Sequence, residues 1–167
     1  MTITTDRPAV SDFDSNPTIE EWRDQMIELA HHAFTRYEWD NIFDEEAMVT
    51  VANAMHDIRV RDTLMWDILL LGNERMEIAF DAMSKTGKLM PLAQSVPLMT
   101  VAAILLASQG EPLMALMFSN EALRLDQSYS LAYLVNKTIQ VAGEESAEII
   151  GKMFSGLTRY QCRHGNK

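Results

Sequence analysis

Residues 95–132 decide the fold of this chain, and they read SVPLMTVAAILLASQGEPLMALMFSNEALRLDQSYSLA. Apolar residues recur at helical spacing on both sides of Gly110-Glu111-Pro112, which predicts two amphipathic helices joined by a tight turn. Small side chains at Ala103, Ala115 and Ala122 allow two antiparallel helices to approach closely. The stretch therefore predicts a helical hairpin.

The hairpin resembles a single tetratricopeptide-type repeat, a unit that normally serves to hold another protein. The three alanines fall at the repeat's small positions, whereas Gln127 stands in place of the usual closing proline. Shifting the pattern by about 34 residues, the length of such a repeat, destroys the match on either side. About three stacked units are needed to bury their faces, so we expect this one to pack on the remaining helices rather than in a solenoid.

Helix signals cover most of the remaining chain, and no strand alternation is present. Thr18 followed by Glu21 is a capping box, and Asp44 is placed to cap a second helix. The periodicity predicts an all-α fold, a compact bundle of about eight helices containing the tetratricopeptide-like helix-turn-helix hairpin. Outside the hairpin, the predicted helices cover residues 18–37, 44–56, 58–71, 74–86, 128–141 and 144–155.

Several positions carry specific expectations about packing. The second half of the helix at 58–71 is apolar nearly all round, which predicts a central, buried position. Gly72 is expected to cap its C-terminus, and Ser128 is expected to cap the start of a later helix. The aromatic connection at Trp39 and Phe43 is expected to fill part of the core.

The chain is expected to hold one domain between two polar ends. Residues 1–15 are polar and acidic without periodicity, which predicts a disordered acidic arm. Residues 16–156 are predicted to form the single helical domain, and residues 157–167 a short, mobile, basic tail. A length of 167 residues fits one domain of this kind.

The net charge of −10 is concentrated at one end of the chain. Residues 1–58 hold 13 acidic residues and three arginines, whereas the remaining 109 residues carry equal numbers of acids and bases. Such a surface repels nucleic acid phosphates, so direct nucleic acid binding is not expected. It either favours a basic partner or keeps the protein soluble, and both interpretations stay open. The candidate interaction residues are Glu20, Glu21, Asp24, Glu28, Asp44, Glu45, Glu46, Met114, Met117 and Tyr129.

Cys162 is the single cysteine, which excludes an internal disulfide and suggests a reducing compartment. The longest apolar run, at residues 98–107, is about half of the ~20 residues that span a bilayer. The first six residues lack the basic and apolar start of a secretory signal. We therefore predict a cytoplasmic protein that does not associate with a membrane.

Glu28 and His31 have the Glu-x-x-His spacing that places two metal ligands on one helix face. A di-iron bundle needs this motif twice, and no second copy exists in the sequence. His31 is therefore predicted to be a hydrogen-bonded side chain, and no metal or other cofactor is expected. The remaining metal-capable side chains, none in a recognisable ligand motif, are His32, His56, Cys162 and His164.

Arg59, Arg61 and Asp62 lie at the start of the third helix, where the helix dipole favours the Asp62 carboxylate. One interpretation is a structural ion-pair cluster that docks this helix on the acidic N-terminal helices. The alternative is a pair of arginines presented to an anionic ligand.

Residues from about 47 to 148 resemble the C-terminal half of the actinobacterial domain of unknown function 4192 family. The match rests on DIRVRDTL at residues 57–64, LASQGE at 106–111, ALRLD at 122–126 and YSLA at 129–132. Typical members carry a strand-rich N-terminal half, which an acidic helical segment replaces here. The resemblance implies ancestry and no particular activity, and it would suit a plasmid or phage of high-GC Gram-positive bacteria.

Three functions stay open, and the first is favoured because the sequence contains no catalytic constellation. It is a non-enzymatic protein–protein interaction module, an adaptor or inhibitor that grips a partner through the hairpin or the acidic face. The second is an acidic DNA mimic or anti-defence protein of a phage or plasmid, whose partner is a basic or DNA-binding protein. The third is a metal-dependent enzyme that uses Glu28, His31 or His56. A homodimer is compatible with three tryptophans and twelve methionines.

Overall fold

The computed structural model describes residues 17–165, so the predicted arm at residues 1–15 lies outside the described residues. The described residues form nine α-helices, two short 3-10 helices and no β-strand. The prediction of an all-α bundle of about eight helices is confirmed. The α-helices are α1 (Ile19–Asp40), α2 (Glu45–Ala54), α3 (Ile58–Leu69), α4 (Asn73–Gly87), α5 (Val96–Ser108), α6 (Pro112–Leu125), α7 (Ser130–Ala142), α8 (Ser146–Ser155) and α9 (Arg159–His164).

Side-chain caps set the starts of the first three helices. Thr18 caps α1 in the predicted capping box, and Asp44 caps α2 as predicted. Asp57 caps α3, and each of these side chains accepts a hydrogen bond from a backbone N–H in the first turn. The predicted cap at Ser128 is wrong, because α7 begins two residues later and the Ser128 hydroxyl donates to the Asp126 carboxylate.

α5 is the central helix of the bundle, since 11 of its 13 residues are buried and it contacts α3, α4, α6, α7 and α8. The expectation that the second half of α3 is central is wrong. Leu70, directly after α3, is largely exposed, and the half-buried Trp66 donates its indole N–H to the Leu157 carbonyl. The apolar residues at this end of α3 cover the edge of the core instead of filling its middle.

α5 and α6 form the predicted hairpin and make the most extensive helix–helix contact of the described residues. Ala103, Ala115 and Ala122 are fully buried, as expected of small residues that let two helices approach closely. Gly110 turns the chain between the helices with φ +80°, a left-handed conformation that favours glycine. The hairpin packs on α4, α7 and α8 within the bundle.

The prediction of a mobile tail at residues 157–167 is wrong for the part that the structure describes. α9 begins with a capping box at Thr158 and packs on α3. Cys162 and Arg163 are buried there, so the helical body extends past the predicted boundary at residue 156. A helix this short is not stable alone and carries little periodicity, so contacts with other helices hold it in place.

Two further expectations, about Trp39 and Gly72, are wrong. α1 continues to Asp40, three residues beyond its predicted end, so Trp39 lies on an outer helical turn and is 75% exposed. Phe43 is half-buried and meets Tyr37 edge-on, with ring centroids 5.6 Å apart. Gly72 has extended backbone and directly precedes α4, so it begins a helix instead of ending one.

Candidate functional site

Six large exposed apolar side chains of the described residues lie on the neighbouring helices α6 and α7. We call this the α6–α7 surface, and it consists of Leu113, Met114, Met117, Tyr133, Leu134 and Val141. Leu113 is 79% exposed, Met117 71% and Val141 88%. Single exposed apolar residues are ordinary, but a cluster of them on a folded domain is typical of a surface that binds another protein.

The pairing of the two helices brings the start of α6 beside the end of α7. α6 and α7 are joined by a short turn and pack along each other, which makes them antiparallel. The Asn136 side chain donates to the Ser119 hydroxyl at 2.9 Å and fixes the register of the pair. The first turns of α6, with Leu113 and Met117, therefore lie beside the last turn of α7, with Val141.

The exposure follows from the way α6 packs on α5. α6 buries only Ala115, Ser119 and Ala122, a stripe of small residues at i, i+4 and i+7 spacing. Small side chains bring the two helix backbones close together, so the large residues on either side of the stripe are left outside the contact. The same feature that makes the hairpin compact thus produces the α6–α7 surface.

The three candidate interaction residues in this half of the chain differ in position. Met114 and Met117 belong to the α6–α7 surface and are exposed. Tyr129 is half-buried, and its hydroxyl accepts a hydrogen bond from Arg61 NH1 at 2.7 Å. Tyr129 therefore ties the start of α7 to α3 instead of facing a partner.

Arg61 and Asp62 form an ion pair at the start of α3, with Arg61 Nε and NH2 donating to Asp62 Oδ1 at 2.8 and 2.7 Å. Arg61 is buried and also binds Tyr129, so this pair joins α3 to α7. The Arg59 guanidinium packs on Gly165, where an added Cβ would lie 2.5 Å from it. The predicted ion pair is thus present between Arg61 and Asp62, but it joins α3 to α7, and the expectation that it docks α3 on the acidic N-terminal helices is wrong.

Asp57, which the sequence analysis does not single out as a site residue, makes the link between α3 and α1. Arg23 donates Nε and NH2 to its carboxylate at 2.9–3.1 Å while Asp57 also caps α3. Burial raises the pKa of Asp57, but Arg23 and the backbone N–H groups of Val60 and Arg59 outweigh burial. The pKa of Asp57 therefore lies below its ordinary value, and the carboxylate is charged at neutral pH.

Arg163 binds two of the acidic candidate interaction residues. Its side chain is 5% exposed and donates to Glu20 Oε2 at 2.7 Å, to Asp24 Oδ1 at 2.8 Å and to the Glu20 carbonyl at 2.7 Å. The hydrogen bond from Arg163 is the largest cause that holds the pKa of Glu20 below its ordinary value. These two carboxylates are engaged within the molecule.

The other acidic candidates divide into capping residues and exposed residues. Glu21 completes the α1 capping box, and Asp44 caps α2 with Arg36 NH1 3.9 Å away. The acidic candidates that are exposed with no ion-pair partner among residues 17–165 are Glu28, Glu45 and Glu46. The acidic surface of the described residues is thus smaller than the sequence predicts, and arginines interrupt it.

His31 belongs to an ion-pair network rather than to a pair with Glu28. Its Nε2 lies 2.8 Å from Asp67 Oδ2, and Arg159 donates to both oxygens of the same carboxylate at 2.6 and 3.0 Å. Burial raises the pKa of Asp67, but the hydrogen bonds from His31 and Arg159 outweigh burial and hold it below its ordinary value. This network joins α1, α3 and α9.

The remaining metal-capable side chains lie apart. His56 Nε2 is 2.9 Å from the Gln94 carbonyl, and His32 Nε2 is buried without a hydrogen-bond partner among the described residues. Burial is the largest cause that raises the pKa of Cys162, and His164 lies at the surface. Within residues 17–165, no three His, Cys, Asp or Glu side chains form a group that could hold a metal ion.

Arg163 and Asp67 carry no signal in the sequence that marks them as site residues. Arg163 contacts residues 139 and 143 positions earlier in the chain, and no local pattern carries such a contact. Asp57 is different, because an Asp directly before a predicted helix start is a common N-cap, and that signal could have been found.

No family model matches the sequence, and no curated protein or solved structure matches it. The resemblance to the domain of unknown function 4192 family therefore stays a prediction that rests on the residues quoted for it. In the part of the chain that the structure describes, no helix is both long and apolar enough to cross a bilayer. The structure shows an all-α bundle with exposed apolar side chains on α6 and α7.

Proposed function

We propose that the protein is a non-enzymatic interaction module, an adaptor or inhibitor that binds another protein through the α6–α7 surface. The exposure of Leu113, Met117 and Val141 on adjacent turns carries this proposal. Burying one large apolar side chain contributes about 1.5–3 kcal/mol. Several such side chains on one surface are therefore a strong driving force for association.

The chemistry of the α6–α7 surface indicates the kind of partner that fits it. Methionine side chains are flexible and adapt to different apolar shapes. The nearest charges are largely engaged locally, since Arg124 pairs with Glu121 and Lys137 lies over the Tyr133 ring. An apolar face of a partner helix laid along α6 and α7 suits this surface, and such binding resists salt.

The acidic DNA mimic is the second candidate function, and it has less support. A mimic needs many unpaired carboxylates at its surface, whereas Arg163 pairs with Glu20 and Asp24 and Arg23 pairs with Asp57. Glu28, Glu45 and Glu46 are the acidic candidates left to face a basic partner. Binding through them would weaken steeply with salt, because exposed charges are screened.

A pull-down with matched variants tests the proposal against this alternative. The tagged protein is incubated with lysate of a host that encodes it, washed at low and high salt, and the bound proteins are identified by mass spectrometry. The test variant is the double substitution Leu113→Glu/Met117→Glu, which places charge in the α6–α7 surface. The control variant is Glu45→Gln/Glu46→Gln, which removes two exposed carboxylates and leaves that surface intact.

The proposal predicts a stoichiometric partner that survives high salt, is lost with Leu113→Glu/Met117→Glu and is retained with Glu45→Gln/Glu46→Gln. A partner lost at high salt and with Glu45→Gln/Glu46→Gln would support the mimic instead. Recovery of the bait alone at twice its monomer mass by light scattering would assign the surface to a homodimer. Stoichiometric metal in the purified protein would favour a metal-dependent enzyme over both the interaction module and the DNA mimic.

A further inference from the structure

An apolar slot of about 110 Å³ lies between α1, α2, α3 and α4, with α5 at its base. Its walls are mostly aliphatic, aromatic and methionine side chains, and its charged residues are confined to one end. An engineered apolar cavity of similar size, ~150 Å³, stays dry and binds benzene. The slot is therefore large enough for an apolar group of a ligand.

The lining residues of the slot extend along α4, and burial distinguishes its two ends. Half-exposed His31 and Arg75 lie at the mouth, whereas Thr86 and Leu98 are buried at the base. Arg75 and Thr86 are 11 residues apart on the same helix, so the slot follows α4 for about 16 Å at 1.5 Å per residue. This shape suits one extended chain better than a compact ring system.

Alanines on three helices leave the slot open, because any larger side chain at these positions would fill it. They are Ala30 of α1, Ala52 of α2, and Ala79 and Ala82 of α4. Met48, Met55 and Met83 line the space between them, and their flexible side chains allow its width to adjust. The slot thus combines a fixed length with an adaptable cross-section.

The mouth offers one uncommitted cationic donor. Arg75 donates Nε and NH2 to the Glu38 carboxylate at 2.6 and 2.9 Å, and its guanidinium carbon lies 5.9 Å from the Phe34 ring centroid. Among residues 17–165, Arg75 NH1 donates to no protein group. An arginine held in place by two bonds, with a third donor free, suits an anionic head group.

Glu38 and Asp67, the two carboxylates that bind the charged lining residues at the mouth, are already ion-paired. Glu38 is paired with Arg75, and Asp67 accepts both Arg159 donors and the His31 ring. Neither therefore repels an incoming anion as an isolated carboxylate would. His31 and Arg159 add positive or donor character at the same end of the slot.

We propose that this slot binds a single-chain aliphatic carboxylate, with the chain along α4 and the carboxylate at Arg75 NH1. The apolar walls accept the chain, the alanine positions limit it to one chain in width, and the free donor selects an anion over a neutral head. The slot lies on α1–α4, away from the α6–α7 surface, so the two proposals are independent.

Calorimetric titration of the full chain with butanoate, hexanoate, octanoate and decanoate tests the slot. The affinity is expected to rise roughly fourfold for each added methylene, the fold-change that ~0.8 kcal/mol per buried methylene corresponds to, until the slot is full. 1-Octanol is expected to bind at least about tenfold more weakly than octanoate, because it lacks the charge. An affinity independent of chain length, or equal binding of the alcohol, would overturn the proposal.

Variants locate the binding within the molecule. Ala79→Leu is expected to abolish octanoate binding by filling the slot, with circular dichroism to verify that the helices persist. Arg75→Gln, at the surface, is expected to weaken binding about tenfold, as loss of one charge-assisted hydrogen bond does. Arg124→Gln is the matched control, because Arg124 donates Nε and NH2 to Glu121 in the same two-bond manner on α6. Unchanged binding by Arg75→Gln, or an equal loss with Arg124→Gln, would contradict the assignment.

Discussion

Two regions of this bundle are held together by different kinds of contact. The first, which we call the apolar region, consists of α5, α6 and α7. Its small and apolar side chains pack closely, and no ion pair among residues 17–165 joins α5 to α6 or α6 to α7. The second, which we call the ionic region, consists of α1, α3 and α9. Here arginines bind carboxylates across every pair of helices, through Arg23, Arg159 and Arg163. Apolar packing therefore holds the centre of this fold together, whereas ion pairs position the helices at its margin.

The largest expected loss of stability comes from creating a cavity in the apolar region. Leu105 in α5 is fully buried, so Leu105→Ala leaves a cavity and is expected to lower the free energy of unfolding by about 2–5 kcal/mol. Urea denaturation followed by circular dichroism measures this change. Leu113→Ala is the control, because Leu113 is exposed and its loss is expected to change stability by no more than about 0.5 kcal/mol. Equal effects of the two variants would show that α5 is not the centre of the fold.

The next largest loss of stability is expected when the most buried arginine of the ionic region is replaced. Arg163→Gln removes the charge-assisted hydrogen bonds from a buried guanidinium to Glu20, to Asp24 and to the Glu20 carbonyl, at an expected cost of about 2 kcal/mol. Release of α9 is also expected to expose the neighbouring Cys162, which is buried in the native protein and has a raised pKa.

Reaction of Cys162 with a thiol reagent is the measurement that separates α9 release from general unfolding. The thiol is expected to react faster in Arg163→Gln at urea concentrations where the rest of the helical signal is unchanged. Arg124→Gln, an exposed arginine on α6, is the control and should leave the rate at the wild-type value. Cys162 that stays unreactive in Arg163→Gln would mean that apolar contacts alone hold α9.

A smaller effect is expected at the turn inside the apolar region. Gly110 has φ +80° with no atom within 4 Å of a Cβ placed there, so Gly110→Ala introduces backbone strain without a clash. The expected cost is about 1–2 kcal/mol. Gly151→Ala, in the middle of α8 and equally free of contacts, is expected to have the opposite sign and stabilise by about 0.5–1 kcal/mol. Thermal unfolding of both variants tests whether the two substitutions change stability in opposite directions.

The smallest effect is a pH dependence confined to the ionic region. The folded pKa of Asp57 lies below its ordinary value, so its contribution is complete above the unfolded pKa of about 3.9 and is lost as the pH falls through the folded pKa. Asp57→Asn retains an N-cap and removes the charge, and it is expected to cost up to about 1 kcal/mol at pH 7. The difference from wild type should shrink on acidification below pH about 3.9, and urea titrations at several pH values measure it. A difference that does not change with pH would assign the role of Asp57 to capping alone.

The apolar region is the part of the fold that the sequence predicts best. The hairpin follows from periodicity, from three alanines at helical spacing and from the glycine at the turn, all of which are local properties. The N-caps at Thr18 and Asp44 are local in the same sense and are confirmed. Local signals do not rank helices by burial, however: they predict a central position for the second half of α3, whereas α5 is the central helix.

The ionic region could not be predicted because its partners are far apart in the chain. α9 has only six residues, and its position depends on carboxylates of α1 and α3. The same reason explains in part why the acidic face is smaller than predicted, since Arg163 binds Glu20 and Arg23 binds Asp57 from distant positions in the sequence. The pairing of Glu20 with Arg23, three residues away, is a local contact. Met114 and Met117 are exposed candidates on an amphipathic helix, whereas Tyr129 is tied inward by Arg61 from a distant helix.

The contact between α9 and α1 has a consequence for synthesis on the ribosome. Arg163 follows Asp24 by 139 positions and Glu20 by 143, so the acidic start of α1 emerges long before its arginine exists. At about 5–20 residues per second, this interval lasts roughly 7–30 s. During that time Glu20 can pair only with the neighbouring Arg23, and Asp24 lacks the arginine that it binds in the folded protein. The contact between α9 and α1 therefore forms only after α1–α8 have been synthesised.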